Sequence, residues 1–233
     1  MADVKSKFVN GNLVFYDTYE YRWVDAVGPQ VRKWELDIAS SAETADKTIT
    51  ATGTSPITNA VTAGDRMLIT TENVDFAGDN VQWLGSPFVI ASGKPLYWGA
   101  RLAISDATQT DLLVGLCEVD TTLTAASGTH AVSVTDDGLY FSKIDAVTAI
   151  YATAELGGTE SSTAAGTMDT SKHWYEMNYD GTTLSTYFDG TLVSQIAAAS
   201  LPDQPLRPSI CFRAGETTAK TCLVEKFVVI QLA

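Results

Sequence analysis

The chain has 233 residues, with 15 Lys and Arg against 28 Asp and Glu, which gives a formal net charge of −13. This length predicts one or two domains, and 45% hydrophobic against 18% charged residues favours a folded chain with a sizeable core. The negative charge argues against binding to nucleic acid, because phosphate contacts need clustered Lys and Arg. The sequence has no apolar run long enough for a membrane span and no signal-peptide core, so no association with a membrane is expected.

The first 35 residues differ from the remainder in charge and in aromatic content. Their five basic and five acidic groups cancel, so all of the net charge lies in residues 36–233. We therefore predict an N-terminal arm at 1–35, a loop-rich connection with short strands at 36–65, and a compact domain at 66–233.

The arm is rich in apolar side chains and carries little net charge to desolvate, as is typical of docking surfaces. We predict that it contacts a capsid or neighbouring copies of the chain, and the alternative is that its aromatics pack on their own domain as an extra strand. The predicted contact residues are Phe8, Leu13, Phe15, Tyr16, Tyr19, Tyr21, Trp23 and Trp34.

From residue 66 onward the apolar residues alternate with polar ones, which is the period of a β-strand. One strand places Trp98, Ala100, Leu102 and Ile104 on a single face and ends at Ser105. Other strands are predicted at 48–50, 67–70, 81–84, 112–118, 139–141, 208–213 and 222–231. Within the 112–118 strand, a glycine at 115 predicts a close approach by a neighbouring backbone or side chain.

Two Asp-Gly pairs, at 180–181 and 189–190, separate three strand-like runs. Asp-Gly supplies the positive φ angles of tight hairpin turns, so this stretch predicts a β-meander. One helical turn is expected near 196–201. Short strands at this spacing predict an all-β fold, an antiparallel β-sandwich or jelly roll.

Cysteine is sparse, at positions 117, 211 and 222. No second Cys or His stands at zinc-ligand spacing. If 213–220 is a hairpin, Cys211 and Cys222 would face each other and could be bridged. The alternative is three half-buried thiols in a reducing compartment.

The sequence contains no complete catalytic motif of a hydrolase. The chain has only His130 and His173, and no Gly-x-Ser-x-Gly elbow. Laminarinase-like sandwich hydrolases carry Glu-x-Asp-x-x-Glu on one strand, and here Glu35 and Asp37 begin that pattern but Ser40 ends it. We therefore expect no catalytic residues and no enzymatic activity.

No cofactor and no metal site are expected. Calcium is the alternative, because acidic loops supply the oxygen ligands that it prefers. The candidate carboxylates are Asp75, Asp79, Asp106, Asp111, Asp136, Asp137 and Asp145. Trp83, Trp98 and Tyr151 could stack on sugar rings if exposed. The register of Trp98 and Trp174 favours core packing instead.

Several stretches together resemble tailed-bacteriophage virion proteins that contain a concanavalin-A-like (laminin-G-like) jelly roll. The likeness is carried by residues 9–17 and 25–29 of the arm (VNGNLVFYD and DAVGP), and by the core stretches 96–101, 105–106, 110–111, 114–116, 174–176, 206–208 and 224–230 with the two Asp-Gly turns. The resemblance implies a concanavalin-A-like jelly roll with an extended N-terminal arm.

The resemblance further implies a capsid decoration (cement) protein on the outer surface of a phage head. The partners would be the major capsid protein and neighbouring copies, as a homotrimer. The protein would be made in the host bacterial cytoplasm and located on the virion. An acidic body fits the outside of a shell, since packaged DNA would repel it. The alternative is a glycan-binding, lectin-like module of a phage tail or fibre.

Overall fold

A computed structural model describes residues 4–17, 22–36, 47–52, 67–85, 87–121, 123 and 136–232 of the chain. Within these ranges no helix is long and apolar enough to cross a membrane. A short 3₁₀ helix spans Ala198–Ser200. The strands are β1 (Val4–Val9), β2 (Asn12–Asp17), β3 (Trp23–Val27), β4 (Val31–Glu35), β5 (Lys47–Thr52), β6 (Met67–Thr70), β7 (Gly78–Trp83), β8 (Leu96–Ile104), β9 (Thr110–Cys117), β10 (Gly138–Lys143), β11 (Ala149–Leu156), β12 (Thr159–Thr167), β13 (His173–Tyr179), β14 (Thr183–Phe188), β15 (Thr191–Ala197), β16 (Arg207–Ala214) and β17 (Thr221–Leu232).

Two large antiparallel sheets pack face to face. Sheet I has the order β12-β11-β10-β9-β16-β7-β5, and sheet II has the order β15-β14-β13-β8-β17-β4. Strand β6 pairs with the first half of β17, and β4 pairs with its second half. The predicted antiparallel β-sandwich is confirmed.

The core lies between the two sheets, where their inward side chains interdigitate. The predicted apolar face of β8 is fully part of it, and the Trp98 ring of sheet II lies 5.9 Å from the Phe141 ring of sheet I. Trp98 also contacts Phe227 at 6.0 Å between ring centroids. Burying each such aromatic contributes about 1.5–3 kcal/mol, so this apolar face stabilises the packing of sheet II on sheet I.

The predicted meander is confirmed, because β13, β14 and β15 are neighbours in sheet II. Asp189 and Gly190 have φ angles of 48° and 74°, as the two central residues of a type I′ turn require. Gly181, in the preceding turn, has a φ of 103°, which strongly favours glycine.

The close approach predicted at Gly115 is also confirmed. A Cβ at this position would lie 2.2 Å from the carbonyl oxygen of Leu139 and 2.6 Å from the Cα of Tyr140. Any larger residue would therefore force β9 and β10 apart.

Strands β11 and β12 were not predicted. Strand β12 has no large apolar residue and lies largely exposed at the edge of sheet I, so it lacks the apolar alternation that marks a half-buried strand. Its partner β11 does alternate, with Ile150, Ala152 and Ala154 turned toward the core, so this strand was predictable from its sequence.

The first 35 residues do not form one separate arm. Strand β4 pairs with β17 inside sheet II, so the predicted boundary at residue 35 falls after a strand of the sandwich. Strands β1, β2 and β3 form a small sheet of their own. It packs on the outer face of sheet II, where the Trp23 ring stacks on Tyr97 at 5.9 Å.

All three cysteines are free and buried. Cys211 lies in a cluster on the outer side of sheet I, whereas Cys222 lies in the main core. Strands β16 and β17 belong to different sheets rather than to one hairpin, which is why the two thiols do not face each other.

Candidate functional site

A cavity of about 300 Å³ opens at the end of the sandwich where β4 and β8 begin and β17 ends. We call it the end pocket, and it is lined by Arg32, Val89, Ala91, Lys94 and Gln231. Its volume is at the lower end of the range typical of small-molecule sites, roughly 300–1,000 Å³. The pocket therefore has room for about one sugar ring.

Two strands supply one wall of the end pocket. Arg32 of β4 lies directly opposite Gln231 of β17 in the antiparallel ladder, so both side chains are on the same face. The Arg32 guanidinium lies 5.1 Å from the centre of the Phe88 ring, which is fully buried. Packing against this ring restrains the arginine side chain.

The other wall is the loop between β7 and β8. Phe88 exchanges two backbone hydrogen bonds with Leu206, of 2.7 and 2.8 Å, which ties the start of the loop to sheet I. The Gln231 amide then donates from Nε2 to the Val89 carbonyl oxygen at 2.5 Å. The loop is thus attached to both sheets.

The turn at 91–94 is held from two further directions. Its own backbone closes through the Lys94 amide, which donates to the Ala91 carbonyl at 3.0 Å. Gly93 donates to the carbonyl of Gly181 at 2.9 Å, and its own carbonyl accepts a 2.9 Å bond from Asn10 Nδ2. The β13–β14 turn and the β1–β2 turn therefore both position Lys94.

The polar atoms of the end pocket are complementary to a hydroxylated ligand. With Nε2 bound to Val89, the Gln231 carbonyl oxygen Oε1 makes no hydrogen bond with the described residues. Arg32 and Lys94 supply N–H donors, while Val89 and Ala91 supply an apolar surface. Hydrogen-bonding groups beside a small apolar surface can bind the two faces of a saccharide.

The outer face of sheet I also carries polar side chains, but three of them are buried and cannot bind a ligand from solution. Asn80, Gln82 and Glu155 are at most 3% exposed. The segment at 118–120 lies across part of this face, since Asn80 Nδ2 donates to the carbonyl of Asp120 at 2.6 Å and Gln82 Nε2 donates to that of Glu118 at 2.8 Å. Burial raises the pKa of Glu155 to about 7. These groups do not reach solvent.

The structure distributes the predicted contact residues of the first 35 positions over three environments. Phe8 is 76% exposed on β1, and Leu13, Phe15 and Tyr16 of β2 are partly buried. Trp23 is buried against sheet II, and Trp34 packs with Trp83 and Phe227 at the main core. Tyr19 and Tyr21 lie outside the described residues.

Core packing, predicted for both Trp98 and Trp174, holds for Trp98 alone. Trp174 points outward from β13, because Tyr175 and Met177 take the inward positions. The Arg22 guanidinium covers the Trp174 ring at 3.7 Å and binds Glu176 Oε1 at 2.9 Å. Trp83 is buried, so it is not available for stacking on a sugar, whereas Tyr151 is partly buried.

His173 has a structural position at the start of β13. Its Nδ1 lies 2.6 Å from Asp189 Oδ2, and its Nε2 lies 3.1 Å from Asp169 Oδ1. Its ring also stacks on Phe188 at 5.1 Å. The histidine thereby links the β14–β15 turn to the loop before β13. His130 lies outside the described residues, as do Asp37 and Ser40.

Most of the carboxylates considered for calcium bind other groups of the chain. Asp106 pairs with Lys220 at 2.7 Å, which is the main reason its pKa is lowered to about 2. Asp137 accepts backbone N–H bonds from Gly157, Asp203 and Gln204. In the described part of the chain, no three His, Cys, Asp or Glu residues are grouped so that they could hold a metal ion.

The end-pocket residues were not predicted as a site. Arg32 was counted only as one of the arm's basic groups, and Gln231 only as the end of a buried strand. The signal that marks the connecting loop is its turn composition, Gly85-Ser86-Pro87 and Ser92-Gly93-Lys94-Pro95. That pattern predicts a loop but does not indicate which strands it meets.

No protein-family model and no curated protein matches the chain. Many solved structures are similar in fold, among them the following three. The Emp47p carbohydrate recognition domain has 11% identity and a TM-score of 0.59, over 86% of this chain and 96% of that one. Crh5 transglycosylase has 12% identity and a TM-score of 0.60, over 86% and 84%. An endo-1,3-beta-glucanase from Streptomyces sioyaensis has 14% identity and a TM-score of 0.59, over 90% and 99%.

At these identities the likeness shows the fold alone, which is a concanavalin-A-like jelly roll. It corrects one prediction. The expectation of no enzymatic activity is wrong, because two of these three similar structures are glycan-active enzymes by name. The incomplete acidic motif at Glu35 does not exclude enzymes, since this fold carries both glycan recognition and glycan chemistry. The comparisons do not support a phage origin or a virion role.

Proposed function

We propose that this protein recognises a carbohydrate and that the end pocket is its binding site. The single observation that carries the proposal is the composition of that open cavity, in which an amide oxygen and two cationic donors surround the apolar side chains of Val89 and Ala91. The similar structures support the same class of ligand, since they include a carbohydrate recognition domain and two enzymes that act on glycans.

A bound sugar would use both halves of the pocket. Its hydroxyl groups would donate to Gln231 Oε1 and accept from Arg32 and Lys94, while its C–H face would pack on Val89. Because Gln231 and the loop are already joined by a 2.5 Å hydrogen bond, this part of the site is formed before the ligand arrives. Preorganisation lowers the entropic cost of binding.

The test is an array of neutral and charged oligosaccharides, followed by calorimetry with the best ligand. Val89→Trp fills the pocket and should weaken binding by at least about tenfold. Val147→Trp is the matched control, because Val147 is 41% exposed against 40% for Val89 and lies in the loop after β10, at the opposite end of the sandwich. Equal affinities for the two variants would reject the end pocket. Incubation of the ligand with the protein, read by chromatography, then measures whether it is cleaved or transferred.

A second candidate function is attachment to a larger assembly through the β1–β2 hairpin, and the exposure of β1 favours it. Phe8 is 76% exposed and Val4 49% exposed on this edge strand. The β1–β2 hairpin carries Lys5 and Lys7 against one acidic residue, Asp17, whereas the whole chain carries −13. A second copy of the acidic chain is therefore the partner that this hairpin fits best. The capsid-decoration role implied by the resemblance would use the same contact.

Sedimentation of the wild type and of Phe8→Ser tests this second candidate. The wild type should self-associate weakly, with an average mass that rises with protein concentration, as expected of a small apolar contact, and Phe8→Ser should shift it toward the monomer. Leu192→Ser removes another exposed apolar residue, 50% exposed, from β15 and should leave the association unchanged. A monomeric wild type would contradict the proposal. Removal of residues 1–35 is a poorer test, because it also removes β4 from sheet II.

A further inference from the structure

We propose, on the basis of the proposed function, that the saccharide bound in the end pocket is acidic and that Arg32 and Lys94 bind its anionic group. The group would be a carboxylate or a sulfate ester on the sugar. Gln231 and Val89 would then contact the uncharged part of the same ring.

The first observation is that these two cations have no acidic partner among the described residues. Several other basic side chains form ion pairs, whereas Lys143 and Arg207 donate to backbone carbonyls. Lys33 binds Asp25 and Glu35 at 3.0 and 3.2 Å, and Arg101 and Lys172 both bind Glu225, at 2.8 and 2.9 Å. Arg32 and Lys94 form no such pair, although the chain carries 28 acidic residues. An uncompensated pair of cations in one cavity favours an anion from outside.

The carboxylate of the neighbouring turn is already engaged. Gly181 contacts Gly93, which brings Asp180 near the 91–94 turn. Asp180 Oδ1 accepts hydrogen bonds from the amides of Thr182 and Thr183, both at 2.8 Å, and from the Thr182 hydroxyl at 2.7 Å. Oδ1 of this carboxylate therefore stabilises its own turn, and Asp180 forms no ion pair with Lys94 among the described residues.

The second observation is the orientation of Arg32. Its guanidinium lies over the Phe88 ring at 5.1 Å, so an aromatic surface restrains one of its faces. The N–H groups lie at the edge of the guanidinium plane, where they can bind a planar carboxylate or two sulfate oxygens in a bidentate manner. Lys94 supplies a second, compact positive charge from the opposite wall.

The net charge of the chain does not prevent this interaction. Exposed charges more than about 8 Å apart are largely screened at physiological ionic strength. Among the residues that line the cavity, Arg32 and Lys94 are the charged ones, and distant acidic residues contribute little to the potential there. Binding of an acidic sugar should accordingly weaken when the salt concentration is raised.

The experiment compares an oligogalacturonate, its neutral methyl ester and a sulfated galactan oligosaccharide by calorimetry. We expect at least one of the two acidic probes to bind about tenfold or more tightly than the ester, and Arg32→Gln and Lys94→Gln each to lower that affinity about tenfold. Arg32→Lys keeps the charge but loses the bidentate geometry, so its affinity should be intermediate. Lys172→Gln removes the same charge at the far end of β13 and should bind like the wild type.

The two proposals fail in different ways. If the methyl ester binds as tightly as the acid and Arg32→Gln changes nothing, the ligand is a neutral sugar and only the present inference is overturned. If none of the three probes and no oligosaccharide of the array binds, both proposals are overturned. Binding of the sulfated probe alone, sensitive to Arg32→Gln, supports the inference and identifies the anion as a sulfate ester.

Discussion

Asp79 of β7 is a buried carboxyl group without a partner. Neither of its oxygens is exposed, and neither has a hydrogen-bond partner in the described part of the chain. Burial raises its pKa from 3.8 to about 7. The folded state therefore holds a proton on Asp79 at pH values where the unfolded state has lost it. The contribution of Asp79 to the free energy of unfolding is therefore largest below about pH 4, and it is lost as the pH rises toward 7.

Asp79→Asn should make the protein more stable at pH 8 and should reduce the fall in stability between pH 4 and 7. A shift of about 3 pKa units corresponds to a gain on the order of 4 kcal/mol at the upper end of this range. Glu155, whose pKa is also raised to about 7, contributes a slope of the same sign, so part of the slope should remain. Urea unfolding at a series of pH values measures both effects. An unchanged slope in Asp79→Asn would contradict this account of the residue.

At the scale of elements, the β13–β14 turn supports the end pocket. A Cβ on Gly181 would lie 3.0 Å from the Cα of Gly93, and the φ of 103° at Gly181 is itself unfavourable for other residues. Gly181→Ala should therefore destabilise the fold by about 1–2 kcal/mol and also displace the 91–94 turn, so that saccharide affinity falls.

Gly190→Ala is the matched control for this substitution. Gly190 also has a positive φ, of 74°, but it lies in the β14–β15 turn, next to the His173 end of β13. We expect a similar loss of stability, measured by thermal unfolding, without a change in affinity measured by calorimetry. Equal effects of both substitutions on affinity would show that the Gly181–Gly93 contact does not position the pocket.

The elements differ in how far their sequence predicts them. Strand β8 and the β13–β15 meander were predictable because apolar alternation and Asp-Gly turns are local signals. Strand β12 has neither signal. Trp174 and Tyr175 are adjacent aromatic residues, so the sequence alone does not show which of the two faces the core. The structure places Tyr175 and Met177 inward, and Trp174 therefore faces outward.

The end pocket could not be predicted, because its residues come from three distant parts of the chain. Arg32, the 89–94 loop and Gln231 meet only when β4 pairs with β17 and the loop pairs with Leu206. These are long-range pairings, which periodicity does not specify. The charge balance of the first 35 residues was a correct observation, but it was attributed to one docking arm, whereas the structure divides these residues between the small β1–β3 sheet and the sandwich.

At the scale of the whole molecule, the fold leaves one end of the sandwich open to ligands and covers part of each broad face. The β1–β3 sheet packs on sheet II around Tyr97 and Ile230, and Asn80, Gln82 and Glu155 on the outer face of sheet I are buried. The end pocket remains open to solvent, next to the turns that connect the two sheets. A ligand that reaches this molecule without rearranging it would therefore bind at the end of the sandwich.

The measurement that tests this most directly is amide chemical-shift mapping of the isotopically labelled protein during titration with the saccharide selected on the array. We predict that the largest shifts occur at residues 89–94, 32 and 231, with smaller ones at Gly181 and Asn10, whose hydrogen bonds hold the 91–94 turn. This prediction would be contradicted if the largest shifts occurred on the outer face of sheet I, around Asn80 and Glu155, while residues 89–94 stayed unchanged.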